Sequence, residues 1–311
     1  MSSIRMRKLF LIVFAFVPSI CKSFAHENVS HHFHLSTNSL CTDRPKATLL
    51  FLHIFKAAGS TTRDTLKEYS KRCKLKYKSC GSVCGRSTST TICLHNGLVK
   101  TQSEIKAVQE SNVIAGHLWY GMHRFVKNTA VYITCLRRPL ETVISGHLYT
   151  KSSRVAKLTD KEAAVSVRGW IQSGKKSTNY VKRLTGAEPR GSKEIELAAD
   201  RAIVNLKTFA VVGVVELYGV FLDLVQHLID PQLKLGRSWW VAQKGKRENS
   251  SVKSTSSVLK ALRILDPDFV TSYNSSLGYD WRIYRTGYRI CLNKAHEEKI
   301  YISNQTKTRR F

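Results

Sequence analysis

One stretch limits the fold more than any other: "LLFLHIFKAAGSTTRDTL", residues 49–66. An apolar run stops at a histidine. A lone lysine follows, then small residues, three consecutive hydroxyls and a helical pattern. Strand, small-residue turn and helix are the parts of a phosphate-holding loop at the carboxyl end of a parallel strand. The GxxxxGK[ST] spelling of nucleoside-triphosphate loops is absent, because here the lysine stands in front of the turn. A P-loop kinase would also need a Mg²⁺-binding carboxylate near the loop, and no convincing one follows.

The rest of the chain repeats the alternation of strand and helix. Residues 47–54 read as a buried strand and 60–72 as a helix with Leu66 and Tyr69 inward. Two short apolar runs, 112–116 and 130–136, read as further parallel strands. Pro139 opens a helix, where its missing N–H is an orphan in any case. Residues 160–174 look helical, and 192–208 form a helix capped by Ser192, with Ile195, Ala199, Ala202 and Leu206 as its stripe. Residues 209–216 read as a strand with a helix after it, ending near Asp230. Residues 236–256 look polar and loop-like, and 257–277 give one or two closing helices. The fold class is therefore α/β, with a mainly parallel sheet flanked by helices.

Formal net charge is +28, which steers the chain toward polyanions: nucleic acid, acidic membrane or acidic polysaccharide. The N-terminus separates these. Arg5, Arg7 and Lys8 precede an apolar run of about 13 residues, followed by "SFA" at 23–25. A spanning helix wants roughly 20 residues, so a cleaved signal peptide is the plain reading and a short signal-anchor the other. Both put the remainder in the secretory lumen. Four N-x-[S/T] sequons, at Asn28, Asn249, Asn274 and Asn304, agree. So do the eight cysteines, of which Cys73, Cys80, Cys84 and Cys93 cluster as two expected bridges of open pairing. A zinc site is the rival, without a CxxC pair to build on. Lumenal residence excludes nucleic acid and leaves an acidic glycan. Lys74, Lys76 and Lys78 would share one face if "KRCKLKYKSC" is a strand, as a polyanion contact or a solvated face.

The expected organisation is a signal peptide or signal-anchor over 1–25, a His-rich stem over 26–46, a catalytic domain over 47–285 and a basic tail over 286–311.

Three features fall at strand ends. The opening loop offers Lys56, Gly59, Ser60, Thr61 and Thr62 around backbone N–H groups at a helix start. "YITCLRRPLETVISGHLY", 132–149, ends a strand in Arg137 and Arg138 and starts a helix at Pro139, with Ser145 two turns in. Guanidinium at a helix start makes a strong anion site. "IAGHLWYGMH", 114–123, puts His117 at a strand tip, where a histidine suits general-base work, with His123 as a second candidate. Each alone has a bland reading as a capped turn, a surface arginine pair or a structural histidine.

Together, their order and spacing resemble the carbohydrate sulfotransferases of the heparan sulfate 2-O-sulfotransferase and uronyl 2-O-sulfotransferase type. The family's "HIPKTGGT(S/T)" is similar to "HIFKAAGSTT", its strand-end "GH" plus aromatic to "AGHLWYGMHRF", and its "(F/V)xRDPxERxxSxY" to "CLRRPLETVISGHLY". "TNYVKRLTG" and "AIVNLKTFAVVGVVE" are weaker echoes. The resemblance runs from about residue 47 to about 280.

It implies a P-loop-like sulfotransferase fold and 3′-phosphoadenylyl sulfate (PAPS) as co-substrate, with no metal. It implies that Lys56 contacts the oxygen bridging phosphate and sulfate, and that Gly59, Ser60, Thr61 and Thr62 hold the 5′-phosphosulfate. Arg137 and Ser145 would bind the 3′-phosphate, and His117 would deprotonate the acceptor hydroxyl. The expected protein is a PAPS-dependent O-sulfotransferase of an acidic, glycosaminoglycan-like glycan. It is expected in the Golgi membrane with a lumenal domain, held only by an uncleaved N-terminal anchor, or secreted. The alternative is a non-catalytic heparin-binding secreted protein on a degenerate version of the fold. Three departures from the family pattern bear on activity. Phe55 replaces a proline, Ala57 and Ala58 replace a Thr-Gly pair, and Arg138 replaces an N-capping Asp whose loss costs about 1 kcal/mol.

Overall fold

The computed structural model describes residues 40–42, 45–80, 102–174, 179–245 and 253–300. Among them, in chain order, are β1 (Ala47–Leu52), α1 (Gly59–Arg72), β2 (Tyr77–Cys80), α2 (Gln102–Gln109), β3 (Val113–Gly116), β4 (Thr129–Leu136) and α3 (Pro139–Thr150). There follow α4 (Ser152–Val155), α5 (Asp160–Gln172), α6 (Tyr180–Thr185), α7 (Ser192–Lys207), β5 (Val211–Val214) and α8 (Tyr218–Ile229). The chain closes with α9 (Arg237–Gly245), α10 (Thr255–Leu265), α11 (Pro267–Ser276) and α12 (Gly278–Glu297).

The five strands form one sheet in the order β2-β3-β1-β4-β5, and each pairing is parallel. This is the α/β architecture expected from the alternation. Parallel strands are covered on both faces, so they read as unbroken apolar runs. All six residues of β1 are buried. From β1 the chain passes to one side of the sheet and from β4 to the other, so the loops after these neighbours diverge. That switch point is where open α/β sheets bind ligands. The register aligns the exits: Leu52 faces Gly116 on one side and Thr134 on the other, and Leu136 pairs with Val214.

Two apolar clusters support this edge. The larger spans the sheet with α1, α7, α8 and α12, and includes Leu66 and Tyr69 facing inward as expected. The Tyr69 hydroxyl donates to the Ile229 carbonyl at 2.7 Å. The second cluster packs α3 (Leu140, Val143, Ile144, Leu148) on α5 and α10.

Gly116 is required by the fold. Its φ is +154°, and a Cβ there would lie 1.8 Å from the Cys80 carbonyl oxygen. The obstacle is backbone of the paired strand, so it cannot rotate away. Gly116→Ala is expected to lose about 3 kcal/mol of stability, read as a drop of several degrees in melting temperature or as insoluble expression.

Several expectations change. Ser192 does not cap α7; Gly191 occupies that position, without a side-chain cap. Residues 237–245 are helical rather than loop, because Trp240 is buried there and its Nε1 donates to Asp230 at 2.9 Å. The helix α12 runs across the boundary expected at 285/286, with Tyr284, Cys291 and Ala295 in the main core. Lys74, Lys76 and Lys78 do not share a strand face, since β2 begins only at Tyr77 and Lys74 has φ 53°. Cys73 bridges to Cys41, outside the expected cluster, across a separation of 32 residues. A bridge of that span stabilises by about 3–4 kcal/mol in the chain-entropy account. Cys80 is buried, and Cys84 and Cys93 lie outside the described residues. So do the N-terminal apolar run and the sequons at Asn28, Asn249 and Asn304. Asn274 sits in α11, its side-chain oxygen accepting from Trp281 Nε1 at 2.9 Å. No helix of the described residues is long and apolar enough to cross a membrane.

Candidate active site

The loop from β1 to α1 carries the first group. His53 continues along the sheet edge, its N–H donating to the Gly116 carbonyl at 2.8 Å. Lys56 and Ala58 both adopt left-handed backbone, at φ 62° and 55°. Each such non-glycine residue costs roughly 1–2 kcal/mol. Ala58 thus takes up, under strain, a conformation that the glycine of the resembled motif adopts freely. Ala58 is also the N-cap of α1, which has neither a side-chain cap nor an acidic residue in its first turn. Its leading N–H groups therefore face no negative charge of the helix's own.

The expected loop residues divide by role. Gly59 is needed for packing: a Cβ there would come within 1.6 Å of the His53 ring. Thr62 is fully buried, its hydroxyl donating to the Ala58 carbonyl at 3.0 Å and meeting the Tyr218 hydroxyl at 3.2 Å. It braces the loop from beneath. Thr61 is 6% exposed, and Ser60 is partly exposed at the rim.

The second group leaves β4. The Arg137 Nη1 donates to the Lys56 carbonyl at 3.4 Å, so the two expected cationic residues meet. Its Nη2 lies 3.4 Å from Glu141. The Arg137 backbone is held from both sides by Tyr180: its N–H donates to the Tyr180 hydroxyl at 3.1 Å, and that hydroxyl donates to its carbonyl. Arg138 provides no side-chain cap for α3, as its replacement of Asp led us to expect. It is taken up instead by Glu141 at 3.6 Å and Glu216 at 3.7 Å. Burial pushes the Glu216 carboxyl up, while the Tyr284 hydroxyl donates to it at 3.0 Å. Ser145 lies two turns along α3 and is 2% exposed.

The third group is His117. Its ring stacks on His53 at 4.2 Å, and its Nδ1 lies 3.1 Å from the His53 carbonyl. An Nδ1–H donating there leaves Nε2 as the acceptor. Burial, the nearby Arg183 and Arg63 push the His117 pKa down to about 4, against the raising effect of the His53 carbonyl. Burial and Arg137 push Lys56 down to about 8. His123 belongs elsewhere: Tyr132, in mid-strand, holds its ring at 3.2 Å and accepts its N–H at 3.0 Å.

Lys56, Arg137 and His117 thus converge on one loop at the sheet's carboxyl edge. Arg183 joins them, donating to the His117 carbonyl. Five participants went unassigned in the sequence: His53, Tyr180, Arg183, Glu216 and Tyr149, whose ring centroid lies 4.0 Å from the Lys56 ammonium. All five lie inside the quoted segments, and Tyr180 and Arg183 belong to "TNYVKRLTG". What was missing was their proximity, which only tertiary packing supplies. No His, Cys, Asp or Glu grouping among the described residues could hold a metal ion.

The five-stranded parallel sheet flanked by helices is an α/β fold consistent with that of sulfotransferases. The galactose-3-O-sulfotransferase family model matches residues 3–181, more than half of the 311-residue chain, and the chain belongs to that family. The match upholds the resemblance at the level of carbohydrate sulfotransferases and does not support its 2-O subtype. Among curated proteins, none matches the chain. Membership implies a sulfate donor and a glycan acceptor.

Proposed function

We propose that the chain transfers the sulfuryl group from PAPS to a hydroxyl of a glycan, with Lys56 and His117 as its working residues. The observation that carries this reading is the meeting of Lys56, Arg137 and His117 around one strand-end loop. The residues suit the donor: two cations, an uncapped helix start without acidic residues, and Ser60 at the rim. Lys56 would face the bridging oxygen. The leading N–H groups of α1, with Gly59, Ser60, Thr61 and Thr62 forming or bracing the turn, would cradle the 5′-phosphosulfate. Arg137 and Ser145, the latter two turns along α3, would take the 3′-phosphate. PAPS supplies the activated sulfuryl group. His117 Nε2 accepts the proton of the acceptor hydroxyl, and Lys56 holds positive charge where the leaving phosphate gains negative charge.

The charge of +28 supports an acidic acceptor, and the family description supports the 3-hydroxyl of galactose over a uronyl 2-hydroxyl. A galactose carried on an acidic glycan satisfies both. The Cys41–Cys73 bridge supports an oxidising compartment and so the lumenal, Golgi-anchored or secreted, setting. Immobilised 3′,5′-ADP distinguishes this enzyme from a mere polyanion binder. Retention at high salt that free nucleotide competes away is expected; elution together with a non-nucleotide polyanion control would contradict the reading.

A pH dependence follows. His117 must be neutral, so kcat/KM rises as pH climbs through about 4. Lys56 must be charged, so kcat/KM falls as pH passes about 8. A rate profile across this range measures both limbs. An alkaline limb near the ordinary lysine value would contradict the buried, arginine-flanked setting of Lys56.

A further inference from the structure

Phe55 stands where the resembled motif has proline, and its ring neighbours the rings of both Tyr149 and His117. It lies 6.1 Å from Tyr149, edge-on, and 6.3 Å from His117. Gly146 makes room for it, since a Cβ there would already come within 3.3 Å of Phe55 Cε1. Tyr149 comes one helical turn after Gly146 on α3. Its ring carries the Lys56 ammonium at 4.0 Å from the centroid, compared with 6.0 Å for the Phe55 ring. Yet Tyr149 is 45% exposed, so core packing does not account for it.

The backbone adds a second reason. Lys56 is left-handed, and its carbonyl is gripped by Arg137. That fixes the root of the lysine but leaves its long side chain free to rotate. A ring face attracts an ammonium through its quadrupole, more strongly where water is partly excluded. Burial and Arg137 both oppose the charge on Lys56, and an aromatic face offsets them without introducing a carboxylate that would repel an anionic donor.

We propose that Tyr149 is the positioning residue for the Lys56 ammonium, and that Phe55 holds Tyr149 against the loop. This rests on the sulfuryl-transfer reading of Lys56. A proline stiffens a loop through its own φ. Here the loop is stiffened from outside, by a ring wedged between β1's exit and α3. The change from proline to Phe55 is then an exchange of one restraint for another.

The test uses the full chain and two readouts. One is kcat and KM for PAPS-driven transfer. The other is the acetylation rate of Lys56 by acetic anhydride without donor, read by mass spectrometry. Tyr149→Leu is expected to lower kcat about tenfold, with both KM values within about twofold, and to raise Lys56 acetylation about fivefold. Tyr149→Phe, which keeps the ring face, is expected to restore both. Phe55→Leu should move both readouts in the same direction as Tyr149→Leu, and it serves as the second variant should Tyr149→Leu melt early. Wild-type kcat and labelling in the leucine variants would overturn the proposal. So would Tyr149→Phe as impaired as Tyr149→Leu, since the hydroxyl would then be the working group. If Lys56→Ala keeps full activity, the transfer reading of Lys56 fails, while the acetylation rates still report on the contact between Lys56 and Tyr149.

Discussion

Lys56→Ala is expected to lower kcat/KM by about 10²–10³-fold, the scale on which a single donor to a developing oxyanion is lost. Sulfuryl transfer is an in-line displacement in which negative charge grows on the leaving phosphate. A cation aimed at that oxygen is attracted more strongly in the transition state than in the ground state, so its loss falls on the chemical step. Lys56 is half-buried, which strengthens the interaction by excluding water. The substitution should spare the fold. Alanine meets the same left-handed backbone that lysine already tolerates at φ 62°. Burial and Arg137 both act against the ammonium, so its removal relieves an unfavourable charge. The melting temperature should therefore stay the same or rise slightly. Thermal melting beside steady-state kinetics checks both halves, and full activity in Lys56→Ala would remove the residue from the mechanism.

His117→Ala is expected to lower kcat/KM by about 10²–10⁴-fold, the usual worth of a positioned general base. A sugar hydroxyl is not ionised near neutral pH, and a neutral imidazole whose Nδ1–H is held by the His53 carbonyl keeps Nε2 as the nitrogen that can receive its proton. Here the stability effect is real, because the ring stacks on His53 at 4.2 Å and bonds its carbonyl. His117→Asn separates the two roles. Its amide can donate to the His53 carbonyl in place of Nδ1–H, yet it offers no base. Asparagine should melt closer to wild type than alanine does and be equally inactive. An active His117→Asn would show that the ring orders the loop rather than moving a proton.

Much of this fold was legible because its signals are local. β1 reads as an apolar run since it is buried on both faces, and Pro139 marks the start of α3 by its own geometry. Lys56, Arg137 and His117 were legible because each sits at a strand end, where the α/β sheet gathers its loops. Other features depend on distant partners. Residues 237–245 looked polar, and only the buried Trp240 and its bond to Asp230 make them a helix of the core. Cys73 finds Cys41 rather than a neighbour in the cysteine cluster. Gly59 looked like an opening for phosphate, and its nearest constraint is the His53 ring. Tyr149 could be read as one more helical aromatic until the Lys56 ammonium was found over its face.

The central claim is sulfuryl transfer from PAPS at the Lys56–His117 loop. Incubating the full chain with sulfur-labelled PAPS and a panel of acidic and galactose-containing glycans, with desulfated derivatives beside them, tests it most directly. Label should move to at least one glycan with wild-type protein and fall by about 10²-fold or more with Lys56→Ala and with His117→Ala. A folded wild-type chain that binds 3′,5′-ADP but labels no acceptor, or a variant that labels as well as wild type, would contradict it.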